Sequence, residues 1–332
     1  MKLRFALPAL AMTTALYAAG PTIVDVKDAG ADYAVQGEYL GEAKLANGAT
    51  LKIGAQVAAL GAGKFALTLL PGGLPGDGWD NQTKFEAEGQ TAGDTTTFAG
   101  QGFKGSLTAE KLTLTRDDGQ SVTLPKTVRV SPTLGAKAPE GALVLLGADP
   151  KPNLDAWAPA QLHANGWFCT EPNQPKTKAN LGSGKLHIEV MLPFEPENRG
   201  QGRSNSGIYL QDRYEVQVVD SFGFKVGPGK PNGDVIGDIY SKAGALTNAA
   251  LPPLTWQTYD IDFVAARYEN GQKTANARAT VRINGILVHD NVEISAVTGG
   301  QGHQESADPA PLMLQFHHHP IFFRNIWFQE AK

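Results

Sequence analysis

The chain has 332 residues, 42% hydrophobic and 19% charged, with 38 Gly, 21 Pro and a formal net charge of −4. The length predicts two compact units, and the abundance of turn residues favours a soluble chain of short strands over a helical bundle or a disordered polymer. There is no basic field for a phosphate backbone, so nucleic acid is not an expected partner; the single cysteine, Cys169, excludes an intramolecular disulfide or a thiolate metal cluster and reads as a small buried hydrophobe.

Residues 1–20 place Lys2 and Arg4 before an apolar stretch and then the small residues Ala18, Ala19 and Gly20, the layout of a signal peptide. Pro8, Thr13 and Thr14 interrupt the apolar run, which is short for a membrane span, and no lipobox cysteine ends it. The expectation is export to the periplasm, cell surface or medium, with no integral membrane span after signal removal.

From 21 to 130, short alternating runs such as KFALTLL, SLTAEKLTLTR and QSVTLPKTVRV are separated by turn signals and predict a small accessory β domain. PGGLPGDGWDNQT, 71–83, reads as a long turn with Trp79 exposed or half-buried. SPTLGAKAPE, 131–140, has two prolines and no periodicity and is expected to be a linker. From 141 to 332, LHIEVMLPF, GIYLQDRYEVQVVD, WQTYDIDFVAARY, ARATVRINGILVHDNVEI, LMLQF and FFRNIWFQ all have strand character. The expected fold class is therefore all-β, a two-sheet β-sandwich preceded by a smaller all-β domain.

Alternation in LHIEVML puts Leu186, Ile188 and Val190 on one face and His187, Glu189 and Met191 on the other. In RYEVQVVD it puts Tyr214, Val216 and Val218 inside and Arg213, Glu215 and Gln217 outside. Periodicity alone reads such charges as a solvated face. Trp256 and Trp327 read as core residues of their strands, and none of Trp167, Trp256 and Trp327 is assigned to substrate. His289 and Asp290 beside Asn291 read as a solvated turn.

SNSGIYLQDRYEVQVVDSFG, 204–223, resembles the central motif of the 3-keto-disaccharide hydrolase family, and the likeness continues in order through SGKLHIEVMLP, GDIYSKAGA, LTWQTYDIDFVAARYENGQ and LMLQFHHHPIFFRNIWFQ. It covers most of residues 140–332. The resemblance implies a concanavalin-like β-sandwich, export, and a carbohydrate or glycoside substrate. It also implies roles for Asn205, Arg213, Glu215, Gln217, Asp220 and Glu189 on one concave face. The family's C-terminal motif reads LQDHGNPVRFRNIW; Gln315, His317, Pro320 and Arg324 to Trp327 match it, whereas Phe316, His318 and His319 depart. The N-terminal unit is similar to β domains attached to such hydrolases.

The chemistry so implied is elimination. A ketone at C3 of a sugar acidifies the C2 proton, a base removes it, the enediolate expels the C1 substituent, and water addition completes a net hydrolysis. His317, Glu215 and Arg213 are the expected catalytic residues, with Glu189, Asn205, Gln217, Asp220 and Gln315 as substrate ligands. His317 or a carboxylate with a raised pKa serves as base or acid, and Arg213 either stabilises the enediolate or forms an ion pair with Glu215 or Asp220. A metal-free site is the working expectation and a divalent ion the rival, with His317 and His319 the candidate ligands. Two other readings stay open: a non-catalytic carbohydrate-binding module, and a conventional glycoside hydrolase with Glu189 and Glu215 flanking the bond at about 5–9 Å.

Overall fold

Apolar side chains at every second position roll the N-terminal part of the chain into a barrel. The computed structural model describes residues 20–45, 47–149, 153–299 and 304–331. The expected signal peptide lies outside them except for Gly20. After a short helix α1 (Gly30–Val35), eight antiparallel strands follow: β1 (Gly37–Lys44), β2 (Thr50–Gly61), β3 (Lys64–Pro71), β4 (Phe85–Ala92), β5 (Thr95–Gly100), β6 (Phe103–Leu107), β7 (Lys111–Arg116) and β8 (Ser121–Thr127). Each pairs with the next, and β8 returns to β1 at Glu38↔Thr127 and Tyr39↔Lys126. Tyr39, Val57, Phe65, Leu67, Phe98, Leu107, Leu112 and Leu124 fill the interior. At Gly89 a Cβ would fall 2.4 Å from the Phe98 ring, so only glycine lets that ring cross the barrel.

The rest of the chain forms a sandwich. Its strands are β9 (Leu143–Leu146), β10 (Trp157–Ala158), β11 (Phe168–Cys169), β12 (Lys176–Leu181), β13 (Gly184–Met191), β14 (Ser206–Leu210) and β15 (Tyr214–Val218), followed by β16 (Trp256–Val264). A small hairpin of β17 (Arg267–Glu269) and β18 (Gln272–Ala275) precedes β19 (Ala277–Ile283), β20 (Ile286–Ile294), β21 (Ala310–Leu314) and β22 (Phe322–Glu330). One sheet has the order β10-β12-β21-β14-β15; the other runs β11-β22-β13-β16-β19-β20, with β9 added against β22. Leu186, Ile188 and Val190 of the larger sheet face Ile208, Val216, Val218 and Leu312 of the smaller across one apolar core. Each such side chain contributes roughly 1.5–3 kcal/mol on burial. The all-β, two-sheet expectation holds.

The barrel and sandwich are fastened together. Buried Arg203 pairs with Asp220 at 2.7 Å and donates to the Ala59 carbonyl of β2 at 3.2 Å. Arg129, just past β8, grips Glu38 of β1 with two bonds of 2.6 Å. Trp79 is buried rather than exposed: it packs with Leu70, Leu74 and the sandwich residue Val226, because the long turn folds back over the join. Residues 131–140 carry no strand, yet Ser131 and Thr133 bond the Thr258 hydroxyl and Gly135 N–H donates to Glu189. His289 is buried inside β20, bonded to the Gly237 carbonyl, rather than in a solvated turn; a bulge at Asn291, φ 45°, interrupts the pairing there. Among the described residues no helix is long and apolar enough to cross a membrane.

Candidate functional site

The β14–β15 hairpin decides which polar side chains meet. Its register sets Tyr209 opposite Glu215 and Gly207 opposite Gln217. Since Ile208, Val216 and Val218 enter the core, Gly207, Tyr209, Glu215 and Gln217 must all face outward. The hairpin tip is strained: Gln211 and Asp212 both have φ of 53°, a left-handed conformation costly for side-chain-bearing residues. A 2.7 Å ion pair from Lys176 to Asp212 helps hold it.

On this face Glu215 is 4% exposed, and burial pushes its carboxyl up to about 7 against the opposing effect of Tyr209. The Tyr209 hydroxyl donates to Glu215 Oε2 at 2.8 Å and accepts from Gln315 Nε2 at 3.3 Å. A Cβ at Gly207 would fall 2.4 Å from Glu215 Oε1, so the glycine makes room for the carboxylate. Gln217 spends its Nε2 on Asn205 Oδ1 and the Gly233 carbonyl, leaving its buried Oε1 without a hydrogen-bond partner. An orphaned buried acceptor beside a raised-pKa carboxyl marks this patch as polar and incompletely paired. Half-buried Tyr240 lies against Gly233, where a Cβ would sit 2.6 Å from its ring.

The structure thus gathers Glu215, Gln217, Asn205 and Gln315, and adds Tyr209, which sequence reasoning missed. The signal for Tyr209 was its even spacing from Gly207 in GIYL, which sends it outward with Glu215.

Other expected residues go elsewhere. Arg213 neither pairs with Glu215 nor with Asp220: it grips the segment 304–308 through the Gln304 and Asp308 carbonyls and Ser306 Oγ at 3.2, 3.0 and 2.7 Å. Asp220 is the buried partner of Arg203. Glu189 leaves the opposite sheet, because β13 buries Ile188 and Val190 and turns Glu189 out beneath residues 131–136. There it accepts from Gly135 N and Arg324 Nε, both at 2.6 Å, and from Asn325 at 2.9 Å. Those hydrogen bonds, together with His187, outweigh burial and bring its carboxyl down to about 2. Glu189 and Glu215 therefore belong to opposite exteriors of the sandwich and do not flank one bond.

His317 is exposed on the loop after β21, two residues past Gln315, with its ring edge-on to His318. His319 instead bonds Glu195 at 3.0 Å. Among the described residues no group of three His, Cys, Asp or Glu converges as a metal site. Trp327 is buried and stacks on His187, while half-buried Trp167 and Trp256 flank Arg324 on the larger sheet, away from Glu215.

No curated protein matches the chain. Among solved structures, it resembles a candidate glycosyl hydrolase from Parabacteroides distasonis at 32% identity and a TM-score of 0.51, covering 58% of this chain and 85% of that one. A second candidate glycosyl hydrolase from the same organism aligns at 16% identity, 58% and 95% coverage and a TM-score of 0.36, too low to carry an argument. The model of the 3-keto-alpha-glucoside-1,2-lyase-like domain matches residues 149–329, more than half of the chain and the whole of the Glu215 hairpin, and the chain belongs to that family.

Proposed function

We propose that the protein is an exported carbohydrate-active enzyme that cleaves 3-keto-glycosides by elimination across C1 and C2, with the sugar held on the outer face of the smaller sheet. The observation that carries this reading is Glu215, a buried carboxyl raised to about 7 and bonded by the Tyr209 hydroxyl, with an unsatisfied acceptor on Gln217 beside it. A base for a carbon acid made acidic by a neighbouring ketone works best with a pKa near the operating pH.

Glu215 as carboxylate takes the C2 proton, and the electrons of the C2–H bond form an enediolate with its charge on the C3 oxygen. As that oxygen returns to a ketone, the C1–C2 double bond forms and the C1–O bond breaks. The departing oxygen takes its proton from His317, the exposed imidazole on the adjoining loop. Water then adds across C1–C2, giving net hydrolysis. Asn205 and Gln217 hold sugar hydroxyls, and Gln315 holds Tyr209. Arg213 acts as a positioning residue through the segment 304–308. The location of Glu189 on the other sheet speaks against the conventional two-carboxylate glycosidase. Export rests on the N-terminal leader alone.

The test is release of a chromogenic aglycone from a 3-keto-glucoside, run beside the unoxidised glucoside, with and without chelator. Release from the keto form only, lost in Glu215→Gln, supports the proposal. Release from the unoxidised glucoside, or full turnover by Glu215→Gln, overturns it, and the chelator arm decides whether a metal takes part.

A further inference from the structure

We propose that the N-terminal barrel binds an amphipathic carboxylate, with its apolar body inside the barrel and its anionic head at the mouth. This inference is independent of the chemistry at Glu215. A closed barrel of eight strands is just wide enough either to be filled by its own side chains or to hold one small ligand. This one does both. The end toward the β2–β3, β4–β5 and β6–β7 turns is packed with Tyr39, Phe65, Phe98, Leu107 and Leu112. The other end is not filled, and a cavity of about 890 Å³ opens there, within the range of about 300–1,000 Å³ typical of small-molecule sites.

The wall is apolar: Leu51, Ile53, Leu69, Phe103, Leu114 and Val122 line it, all inward by the alternation of their strands. At the mouth Phe85 is 49% and Leu45 37% exposed, apolar surface that an entering hydrocarbon would cover. Lys52, Glu86, Glu88 and Lys104 take the outward positions of their strands. Apolar inside and polar outside is the reverse of a membrane barrel, so what is apolar must enter rather than surround.

The head group follows from charge. Among the described residues lining the cavity from inward positions, Arg116 is the one charged side chain; it stands at the mouth on β7, with its NH2 3.1 Å from Asp118. That pair is largely exposed, and one contact to Asp118 uses only part of the guanidinium's five N–H donors, which suits Arg116 to a further carboxylate. A sugar is a poor fit, because hydrogen-bonding side chains such as Gln101 and Gln120 are confined to the rim. Fatty acids and aryl carboxylic acids share the required chemistry.

The experiment uses the full chain. 1-Anilinonaphthalene-8-sulfonate is titrated in by fluorescence and then displaced with laurate in one arm and 2-naphthoate in the other. The expected result is a saturable rise at one site per chain, displaced by at least one of the two acids; laurate alone would identify a fatty-acid site, naphthoate alone an aryl one. Val122→Trp, which pushes an indole into the cavity, is expected to weaken probe binding by about tenfold or more with an unchanged circular dichroism spectrum. If that variant fails to fold, Phe85→Ser at the half-exposed mouth is expected to weaken binding several-fold. Arg116→Ala is expected to weaken laurate or naphthoate but not the neutral probe N-phenyl-1-naphthylamine. Absence of saturable binding, displacement by neither acid, or binding untouched by both cavity variants would overturn the proposal. Keto-glucoside cleavage, measured in parallel, reports separately on Glu215.

Discussion

Glu215 carries two consequences that pull in opposite directions. Burial holds its folded pKa at about 7, above the 4.5 of an ordinary glutamate, so the folded state binds the extra proton between those values and stability falls as pH rises through that window, then levels off. Glu215→Gln removes the ionisation while keeping an acceptor for Tyr209. It is expected to be more stable than the parent above pH 7, by about 2–3 kcal/mol in denaturant titrations, and slower on a 3-keto-glucoside by about 10²–10⁴-fold. The parent's kcat/KM is expected to fall below about pH 7, where Glu215 takes up a proton. Since the Tyr209 hydroxyl lowers the Glu215 pKa, Tyr209→Phe should move that acidic limb upward. A limb that stays in place would show that Glu215 does not set it.

At the scale of elements, the two outward-facing carboxylates look alike in sequence and differ in what covers them. Glu189 on β13 is depressed to about 2 from 4.5 by its partners. Its contribution is therefore complete above pH 4.5 and is lost as pH falls toward 2. Glu189→Gln is expected to cost about 2–4 kcal/mol near neutral pH, with little loss of turnover; thermal melts and kinetics check both. The β14–β15 hairpin was legible because SGIYLQDRYEVQV alternates cleanly, and with it the outward placement of Glu215 and Gln217. Which sheet each strand joins was not legible, since β13 finds its partners in β16 and β22, far away in sequence. Arg213 was misleading for a related reason: it follows the strained tip, and its carbonyl partners at 304 and 308 leave no mark in side-chain patterns. Arg213→Ala is expected to speed amide exchange near 304–308 and raise KM more than it lowers kcat, as loss of a positioning contact should.

For the whole molecule, composition and turn spacing made an all-β, two-unit chain legible, but not barrel closure, which depends on β1 meeting β8. Nor did they expose the cavity, because inward Leu and Val residues read the same whether they touch across a filled barrel or line an empty one. The join was hidden in Arg203, whose guanidinium spans from Asp220 to a β2 carbonyl. Arg203→Met is expected to lower the stability of barrel and sandwich together, by about 3–5 kcal/mol, and calorimetry checks whether both still melt in one transition. The hairpin register has a last consequence for how such proteins can diversify. Tyr209 sits opposite Glu215 on one face while Ile208 sits opposite Val216 on the other. Inserting or deleting one residue ahead of Glu215 within β15 would exchange that strand's faces, sending the carboxyl into the apolar core and a valine outward, and the same change in β14 would part Tyr209 from Glu215. Substitutions and changes in the surrounding loops leave this pairing intact, whereas a change in the length of either short strand does not.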